Sequence, residues 1–173
     1  MLEIELEKTY LVKEIPQGLF DCKFKEIFDI YVPKSYPHPT LRIRKKGDKY
    51  EITKKSPIKE GDSSEQHEHT ISLTEEEFES FKMVAGKPVR KYRYYYNHQG
   101  VQAEFDVFKD DLEGLMLVDF EFKEVADKNN FDMPDFCLAD VTQDEAFAGG
   151  MLCGKKYSDI LPILKKYNYK KLK

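Results

Sequence analysis

The chain has 173 residues, 40% of them hydrophobic and 35% charged, and its formal net charge is −4. A chain of this length fits one domain, which we expect to span residues 1–173. The near balance of acids and bases gives no global basic excess, so nucleic acid is not expected as the main partner.

No segment predicts export or insertion into a membrane. Residues 1–5 have no basic start and no apolar stretch. No uncharged apolar run reaches the roughly 18 residues of a transmembrane helix. The three cysteines form no CxxC pair, which argues against a disulfide framework and a cysteine zinc site. We therefore expect a soluble, cytoplasmic protein with no membrane partner.

Alternation of apolar and polar residues with period two dominates the chain and predicts eight strands. They are 2–12, 24–32, 40–46, 49–56, 66–73, 88–97, 101–108 and 115–123. Turn residues separate neighbouring strands, for example Gly47 between the third and fourth and Gly100 between the sixth and seventh.

Helix signals are fewer than strand signals. Helices are predicted at 74–86, 142–150 and 158–167, with one further turn at 124–131. Thr74 and Thr142 each begin a capping-box pattern, in which a side chain at the helix start binds the first free backbone amides. Ser158 can cap the last helix. The predicted fold class is therefore α+β, dominated by antiparallel sheet.

The charges on the predicted strands are sorted by sign. The acidic sets that share a strand face are Glu3, Glu5 and Glu7, then Glu104 and Asp106, then Asp119 and Glu121. The basic sets are Arg42 with Arg44 and Lys91 with Arg93, and Lys55 lies on the face of Glu51 and Thr53. The opposite faces carry bulky apolar residues.

This sorting admits two interpretations. A half-exposed sheet, apolar inside and charged outside, is the common one. However, a solvated face usually mixes signs, because like charges two residues apart repel. The few predicted helices would also leave much of the apolar face uncovered. These points favour a β-barrel with charge inside. Such an interior needs compensation, which metal ions supply for carboxylates and a polyanion supplies for arginine and lysine.

Seven segments in order resemble motifs of the CYTH family, the triphosphate tunnel metalloenzymes. The matches are 5–12 to its ExExK strand, 41–48 to RxRxxGD, 53–57 to TxKGP, 91–94 to KxRY, 104–108 to EVDVF, 114–122 to GLxLxExE and 140–142 to EVT. The family includes inorganic tripolyphosphatases, thiamine triphosphatases and class IV adenylyl cyclases. The resemblance runs from residue 5 to 154 and implies an eight-stranded antiparallel barrel, the triphosphate tunnel, with a few flanking helices.

The resemblance also implies roles for the charged residues. Metal ligands would be Glu5, Glu7 and Glu121, with Glu104, Asp106 and Glu68 as further acids. The catalytic set would be Glu5, Glu7, Glu121 and Asp119. The triphosphate would bind Arg42, Arg44, Lys55, Lys91 and Arg93. The implied cofactor is magnesium or manganese, and water rather than a side chain would be the nucleophile.

The sequence departs from the family pattern at several positions. Thr9 stands where ExExK has its lysine, with Lys8 and Lys54 as neighbouring lysines that could compensate. The segment 68–70 carries one acid where the family has two. Ala146 and Gly149 stand where the family often has arginine and asparagine. These departures bear on reaction rate and substrate preference.

The leading function from the sequence is metal-dependent hydrolysis of inorganic tripolyphosphate or of an organic or nucleoside triphosphate. One alternative is cyclisation of ATP, as in class IV adenylyl cyclases. Segment 28–31 slightly resembles the second strand of those enzymes. The other is a module that binds polyphosphate or a nucleotide without turnover. The expected partner is a small molecule that contains a triphosphate, and a homodimer is left open.

Overall fold

The structure, a computed structural model, describes residues 2–84 and 86–172. Its strands are β1 (Leu2–Val12), β2 (Phe24–Val32), β3 (Leu41–Lys46), β4 (Lys49–Pro57), β5 (Glu65–Leu73), β6 (Lys87–His98), β7 (Val101–Phe108), β8 (Met116–Phe122) and β9 (Cys137–Asp140). Its helices are α1 (Glu75–Lys82), α2 (Val125–Asn130), α3 (Gly149–Leu152) and α4 (Tyr157–Lys166). None of the helices in these two ranges is both long and apolar enough to cross a membrane.

The first eight strands close into an antiparallel barrel. Their order around the sheet is β5, β4, β3, β2, β6, β7, β8 and β1, and β1 pairs back onto β5. The pairing of β1 with β5 runs from Leu2 opposite His69 to Leu6 opposite Glu65. The predicted eight-stranded barrel is therefore confirmed.

The last residues of β1 pair with a ninth strand that the alternation pattern did not predict. The pairing of β1 with β5 ends at Leu6, and beyond it the same edge of β1 pairs with β9. There Tyr10 lies opposite Asp140 and Val12 lies opposite Cys137. Four residues are too few for a period of two to be distinguished from a loop. The ninth strand extends the sheet beside the barrel and does not belong to its closed wall.

Apolar side chains coat the outside of the barrel in two clusters. One surrounds Phe105, Phe120 and Phe136. The other surrounds Ile30 and Ile43 and receives Phe78 from α1. These residues alternate with charged neighbours that point the other way. The apolar faces of the strands therefore lie outside, under helix and loop segments, as the sorted charges predicted.

A third apolar cluster fills one end of the barrel interior. Leu11, Val89 and Leu117 lie two residues from Thr9, Lys91 and Asp119, so these pairs share the inner face. Packed against them are Leu152 of α3 and Ile160 and Leu164 of α4. We call this cluster the apolar plug. Each fully buried leucine or isoleucine in it contributes roughly 1.5–3 kcal/mol.

The capping box at Thr74 is confirmed. Thr74 Oγ1 accepts a hydrogen bond from the amide of Glu77, and the Glu77 carboxylate accepts one from the amide of Thr74, at 3.2 and 2.7 Å. The last helix begins one residue before the predicted Ser158, and Asp159 accepts from the amide of Lys156 at 2.8 Å.

The helix predicted at 142–150 is wrong. This segment forms a short 3₁₀ turn, Glu145–Phe147, and Gly149 begins α3 instead of ending a helix. Thr142 does not cap a helix, because its hydroxyl donates to Asp140 and accepts from the backbone amide of Thr9, at 2.6 and 3.0 Å. Its side chain thereby ties this segment to β1.

Candidate active site

The residues predicted for the site lie on the inner face of the barrel. They are Glu5 and Glu7 of β1, Arg42 and Arg44 of β3, Lys55 of β4, Glu68 of β5, Lys91 and Arg93 of β6, Glu104 and Asp106 of β7, and Asp119 and Glu121 of β8. Contacts between strands that are not neighbours show this directly. Lys55 contacts Glu5 although β5 lies between their strands, and Arg93 Nη2 lies 3.1 Å from Asp119 although β7 lies between theirs. The side chain of Glu3 lies outside the described part of the chain.

Arg93 is the centre of an ion-pair network on β6, β7 and β8. Its Nε and Nη2 donate to the two oxygens of Asp106 at 2.7 and 2.6 Å, and it also contacts Glu104 and Asp119. Lys91 contacts Asp106 as well. Burial alone would raise the pKa of Asp106, but Arg93 and Lys91 hold it well below its ordinary value. Asp106 is therefore a fixed anion that orients Arg93.

Burial and neighbouring acids disfavour the ionised form of the carboxylates of β1 and β8. Glu7 lies directly opposite Glu121 in the β1–β8 register. Burial, offset in part by Lys55 and reinforced by Glu5, raises the pKa of Glu7 to about 8. Burial together with Glu104 and Glu5 raises the pKa of Glu121 to about 7, and burial raises that of Asp119. This part of the interior favours the arrival of a positive charge.

Lys55 lies among the carboxylates that the sequence assigned to metal binding. Its Nζ contacts Glu5 and lies 3.8 Å from Glu7 and 3.5 Å from Glu68. Burial would lower the pKa of Lys55, but Glu7 and Glu5 raise it above its ordinary value. Lys55 is therefore charged and partly neutralises these acids.

The two arginines of β3 are held by residues of β2 that the sequence analysis did not assign to the site. Arg44 donates through Nε and Nη2 to Asp29 at 2.7 and 2.8 Å, and Arg42 Nη1 donates to the Tyr31 hydroxyl at 3.2 Å. Burial would raise the pKa of Asp29, but Arg44 lowers it to about 2. Strand alternation puts Asp29 and Tyr31 on one face of β2. Only the β2–β3 register, with Asp29 opposite Arg44 and Tyr31 opposite Arg42, reveals their partners.

One nitrogen of the two β3 arginines lacks a hydrogen-bond partner among the described residues. Arg42 Nη2 lies 3.8 Å from Glu68, but Arg42 Nε is buried without a hydrogen bond to any described residue. A buried donor without an acceptor is costly, and an anion in the barrel would remove that cost.

Neither Lys8 nor Lys54 takes the place of the family lysine that Thr9 replaces. The Thr9 hydroxyl donates to Asp119 Oδ1 at 2.7 Å. Lys8 points outward and its Nζ donates to the carbonyl of Phe131 at 3.3 Å. Lys54 is exposed on the outer face of β4. A neutral hydroxyl group therefore stands beside Asp119 where the family has a cation.

Gly149 is a second position at which the sequence departs from the family pattern, and the structure shows which residue lies next to it. A Cβ built on Gly149 would lie 2.1 Å from the hydroxyl oxygen of Tyr31. Tyr31 therefore occupies the space that a side chain at position 149 would need. The polar group that contacts Arg42 is therefore the Tyr31 hydroxyl of β2.

The donor types in the barrel fit a hard divalent cation. In the observed side-chain positions, no group of three histidine, cysteine or acidic residues within the described ranges is close enough to hold a metal ion. Magnesium and manganese nevertheless prefer carboxylate oxygens, which Glu5, Glu7 and Glu121 supply. Burial and neighbouring acids raise the pKa of Glu7 and of Glu121, and a bound cation would offset both effects.

A groove of about 840 Å³ lies outside the barrel, where Lys8 points outward from β1. Its polar groups bind one another. Lys128 Nζ donates to Ser64 Oγ and to Glu65 at 2.7 Å each, and the Tyr167 hydroxyl donates to Asp144 at 2.7 Å. We therefore place the candidate chemistry in the barrel interior and not in this groove.

Comparison with known proteins identifies the family. No family model matches the sequence. The inorganic triphosphatase of Nitrosomonas europaea is 32% identical over 150 residues, which cover 83% of this chain and 92% of that protein. The crystal structure of the inorganic triphosphatase NE1496 matches with a TM-score of 0.64 at 27% identity, over 87% of this chain and 95% of that chain.

A more distant structure shares the fold alone. A candidate adenylate cyclase from Bacillus halodurans matches with a TM-score of 0.54 at 15% identity, over 99% of this chain and 94% of that chain. The barrel, the order of the motifs along it and the 32% identical relative agree. The chain therefore belongs to the CYTH family of triphosphate tunnel metalloenzymes.

Proposed function

We propose that this protein hydrolyses inorganic triphosphate inside the barrel with a divalent metal ion as cofactor. One observation carries the proposal: basic and acidic side chains face each other within one interior. The basic row consists of Arg42 and Arg44 of β3 and Lys55 of β4, and the carboxylates are those of Glu5, Glu7, Asp119 and Glu121 on β1 and β8. Support also comes from the relative in Nitrosomonas europaea, which is named an inorganic triphosphatase.

The basic row suits the triphosphate. Arg44 binds Asp29 through Nε and Nη2, which leaves Nη1 for a ligand, and the buried Nε of Arg42 has no partner in the described residues. Guanidinium groups bind phosphate oxygens through paired hydrogen bonds. Arg42 and Arg44 would thus bind the two ends of the triphosphate along β3.

The carboxylates suit the metal ion. Glu5, Glu7 and Glu121 would hold magnesium or manganese, and Asp119, Glu104, Asp106 and Glu68 are the further acids. When bound, the ion would neutralise charge on the phosphate oxygens as the phosphoanhydride bond breaks. In the structure, Lys55 contacts Glu5. A phosphate oxygen that accepts from Lys55 would release Glu5 and Glu7 for this role.

The reaction needs a water molecule held in line with the terminal phosphorus. Asp119 is suited to orient that water and accept its proton, because burial raises its pKa and Thr9 fixes one of its oxygens at 2.7 Å. The water oxygen bonds to the terminal phosphorus, the bridging P–O bond breaks, and orthophosphate and pyrophosphate leave. Arg93, which lies 3.1 Å from Asp119, holds that carboxylate in place.

The test measures orthophosphate, pyrophosphate and cyclic AMP from tripolyphosphate, ATP and thiamine triphosphate, with magnesium and then manganese. We expect metal-dependent release from tripolyphosphate that falls about 100-fold or more in Glu7→Gln. The matched control is Glu60→Gln, an exposed glutamate in the β4–β5 loop, which should keep full activity.

Other outcomes would overturn the proposal. No turnover, combined with a melting temperature that tripolyphosphate raises, would make the protein a binding module. The presence of Thr9 in place of the family lysine motivates that alternative. Cyclic AMP with pyrophosphate from ATP, and no tripolyphosphate hydrolysis, would make it a cyclase.

A further inference from the structure

A cation without an ion-pair partner lies on the inner face of β3. Lys46 ends this strand two residues beyond Arg44, so it shares a face with Arg44 and Arg42. Five other inner cations each pair with a carboxylate; they are Arg42, Arg44, Lys55, Lys91 and Arg93. Lys25 of β2 lies opposite Arg93, shares this face and, like Lys46, is seen in no ion pair within the described ranges. Lys46 has no such pair among residues 2–84 and 86–172, although its Nζ lies 5.9 Å from the ring centroid of Tyr95.

The surroundings of Lys46 are unfavourable for an unpaired ammonium group. Lys46 is half-buried, and burial together with the nearby Arg93 lowers its pKa, which Glu104 and Glu51 offset only in part. A partly buried charge without a counterion is costly unless a ligand supplies one. The Tyr95 hydroxyl, for which no hydrogen bond is seen in the same ranges, is a second donor at this place. The pair therefore fits an anion.

The position of Lys46 along the barrel indicates which part of a bound ligand would reach Lys46 and Tyr95. A strand rises by about 3.4 Å per residue, so Arg42, Arg44 and Lys46 stand about 7 Å apart in a row. The row begins beside the apolar plug, because Tyr31, opposite Arg42, belongs to that cluster. It ends away from the plug, at the β3–β4 hairpin. An elongated anion bound to the two arginines would point toward Lys46.

We propose that Lys46 and Tyr95 form a further anion subsite that takes a fourth phosphate, so that the substrates include linear polyphosphates longer than three units. The proposal rests on the triphosphate-binding role of Arg42 and Arg44 given above. A nucleoside in the same place would leave Lys46 unpaired, since it carries no charge beyond its phosphates. With tetrapolyphosphate, water bonds to the terminal phosphorus, the bridging bond breaks, a carboxylate accepts the proton, and orthophosphate and tripolyphosphate are released.

The experiment compares kcat/KM for tetrapolyphosphate and tripolyphosphate with magnesium in the wild type, Lys46→Gln and Lys45→Gln. Lys45 is the matched control, because it is the adjacent lysine but is exposed on the outer face. We expect the ratio of tetrapolyphosphate to tripolyphosphate activity to fall about 10-fold in Lys46→Gln, the loss of one charged contact of about 1.4 kcal/mol, and to hold in Lys45→Gln. An unchanged ratio in Lys46→Gln would overturn the subsite, as would an effect confined to ATP.

Calorimetric titration of the metal-free proteins with the same two anions separates this inference from the proposed function. If the wild type hydrolyses neither anion, the hydrolase proposal fails, while the subsite still predicts weaker tetrapolyphosphate binding in Lys46→Gln relative to tripolyphosphate. Equal affinities for both anions in both proteins would overturn it. A melting curve for each variant checks that the fold is intact.

Discussion

Asp29 and Arg44 form a buried bidentate ion pair between neighbouring strands. Both carboxylate oxygens accept from Arg44, at 2.7 and 2.8 Å, and the two side chains stand directly opposite in the β2–β3 register. Asp29 is 1% exposed and Arg44 5%. The pair leaves one guanidinium nitrogen free and fixes its direction, so β2 determines how β3 presents its arginine to a ligand.

Asp29→Asn should lower both stability and affinity for tripolyphosphate. The change leaves Arg44 charged and buried without its counterion, and breaking such a pair typically costs about 3–5 kcal/mol. Urea denaturation measures the loss, with Asp21→Asn as a control, because Asp21 is exposed. At a temperature where the variant is folded, KM should rise more than kcat falls. A free energy of unfolding equal to that of the wild type would show that the pair has no such role.

Thr9→Val should slow hydrolysis while affinity for the substrate stays nearly constant. Valine keeps the shape of the side chain but cannot donate to Asp119, a bond of 2.7 Å in the structure. The backbone amide of Thr9 still binds Thr142, so the local fold is retained. We expect kcat to fall about 10-fold, as when the partner of an active-site ligand is removed. An unchanged kcat would mean that Asp119 needs no orientation by Thr9.

The metal-free protein should lose stability as pH rises from about 5 to 8. The folded-state pKa of Glu7 is about 8 against an ordinary value of 4.5, so the folded protein binds more protons than the unfolded chain in this window. Glu121, raised to about 7, contributes in the same direction. Urea denaturation at pH 5, 6.5 and 8 measures the slope, which Glu7→Gln should reduce. Equal slopes in the two proteins would contradict the raised pKa.

Gly149→Ala should destabilise the protein through Tyr31. The new methyl group would lie 2.1 Å from the Tyr31 hydroxyl oxygen, and such overpacking costs about 1–3 kcal/mol. In the double variant with Tyr31→Phe, the nearest ring atom is the Cζ at 3.0 Å, so part of the loss should be recovered. A double-mutant cycle on melting temperatures measures this coupling. Strictly additive effects would show that the two positions do not interact.

The sequence predicted the barrel well because its sorted charges reflect which side of each strand faces inward. It could not predict contacts that depend on register, which is why Asp29 and Tyr31 entered the site only with the structure. The helix predicted from Thr142 failed for a related reason: Asp140 and Thr9 bind the hydroxyl that was expected to cap it. The roles assigned to Glu5, Glu7 and Glu121 stay predictions until metal binding is measured.

The apolar plug packs one end of the barrel interior with buried side chains, as far as residues 2–84 and 86–172 define it. Leu11, Leu117 and Leu164 are buried in this cluster, so we expect a ligand bound to Arg42 to enter from the opposite end. The substrate and both products of the proposed reaction should then pass through the same opening. The product that lies deeper can depart only after the product nearer the opening has gone, so the shape of the interior sets the order of release. Product inhibition should follow that order, with the deeper product competing directly against incoming substrate.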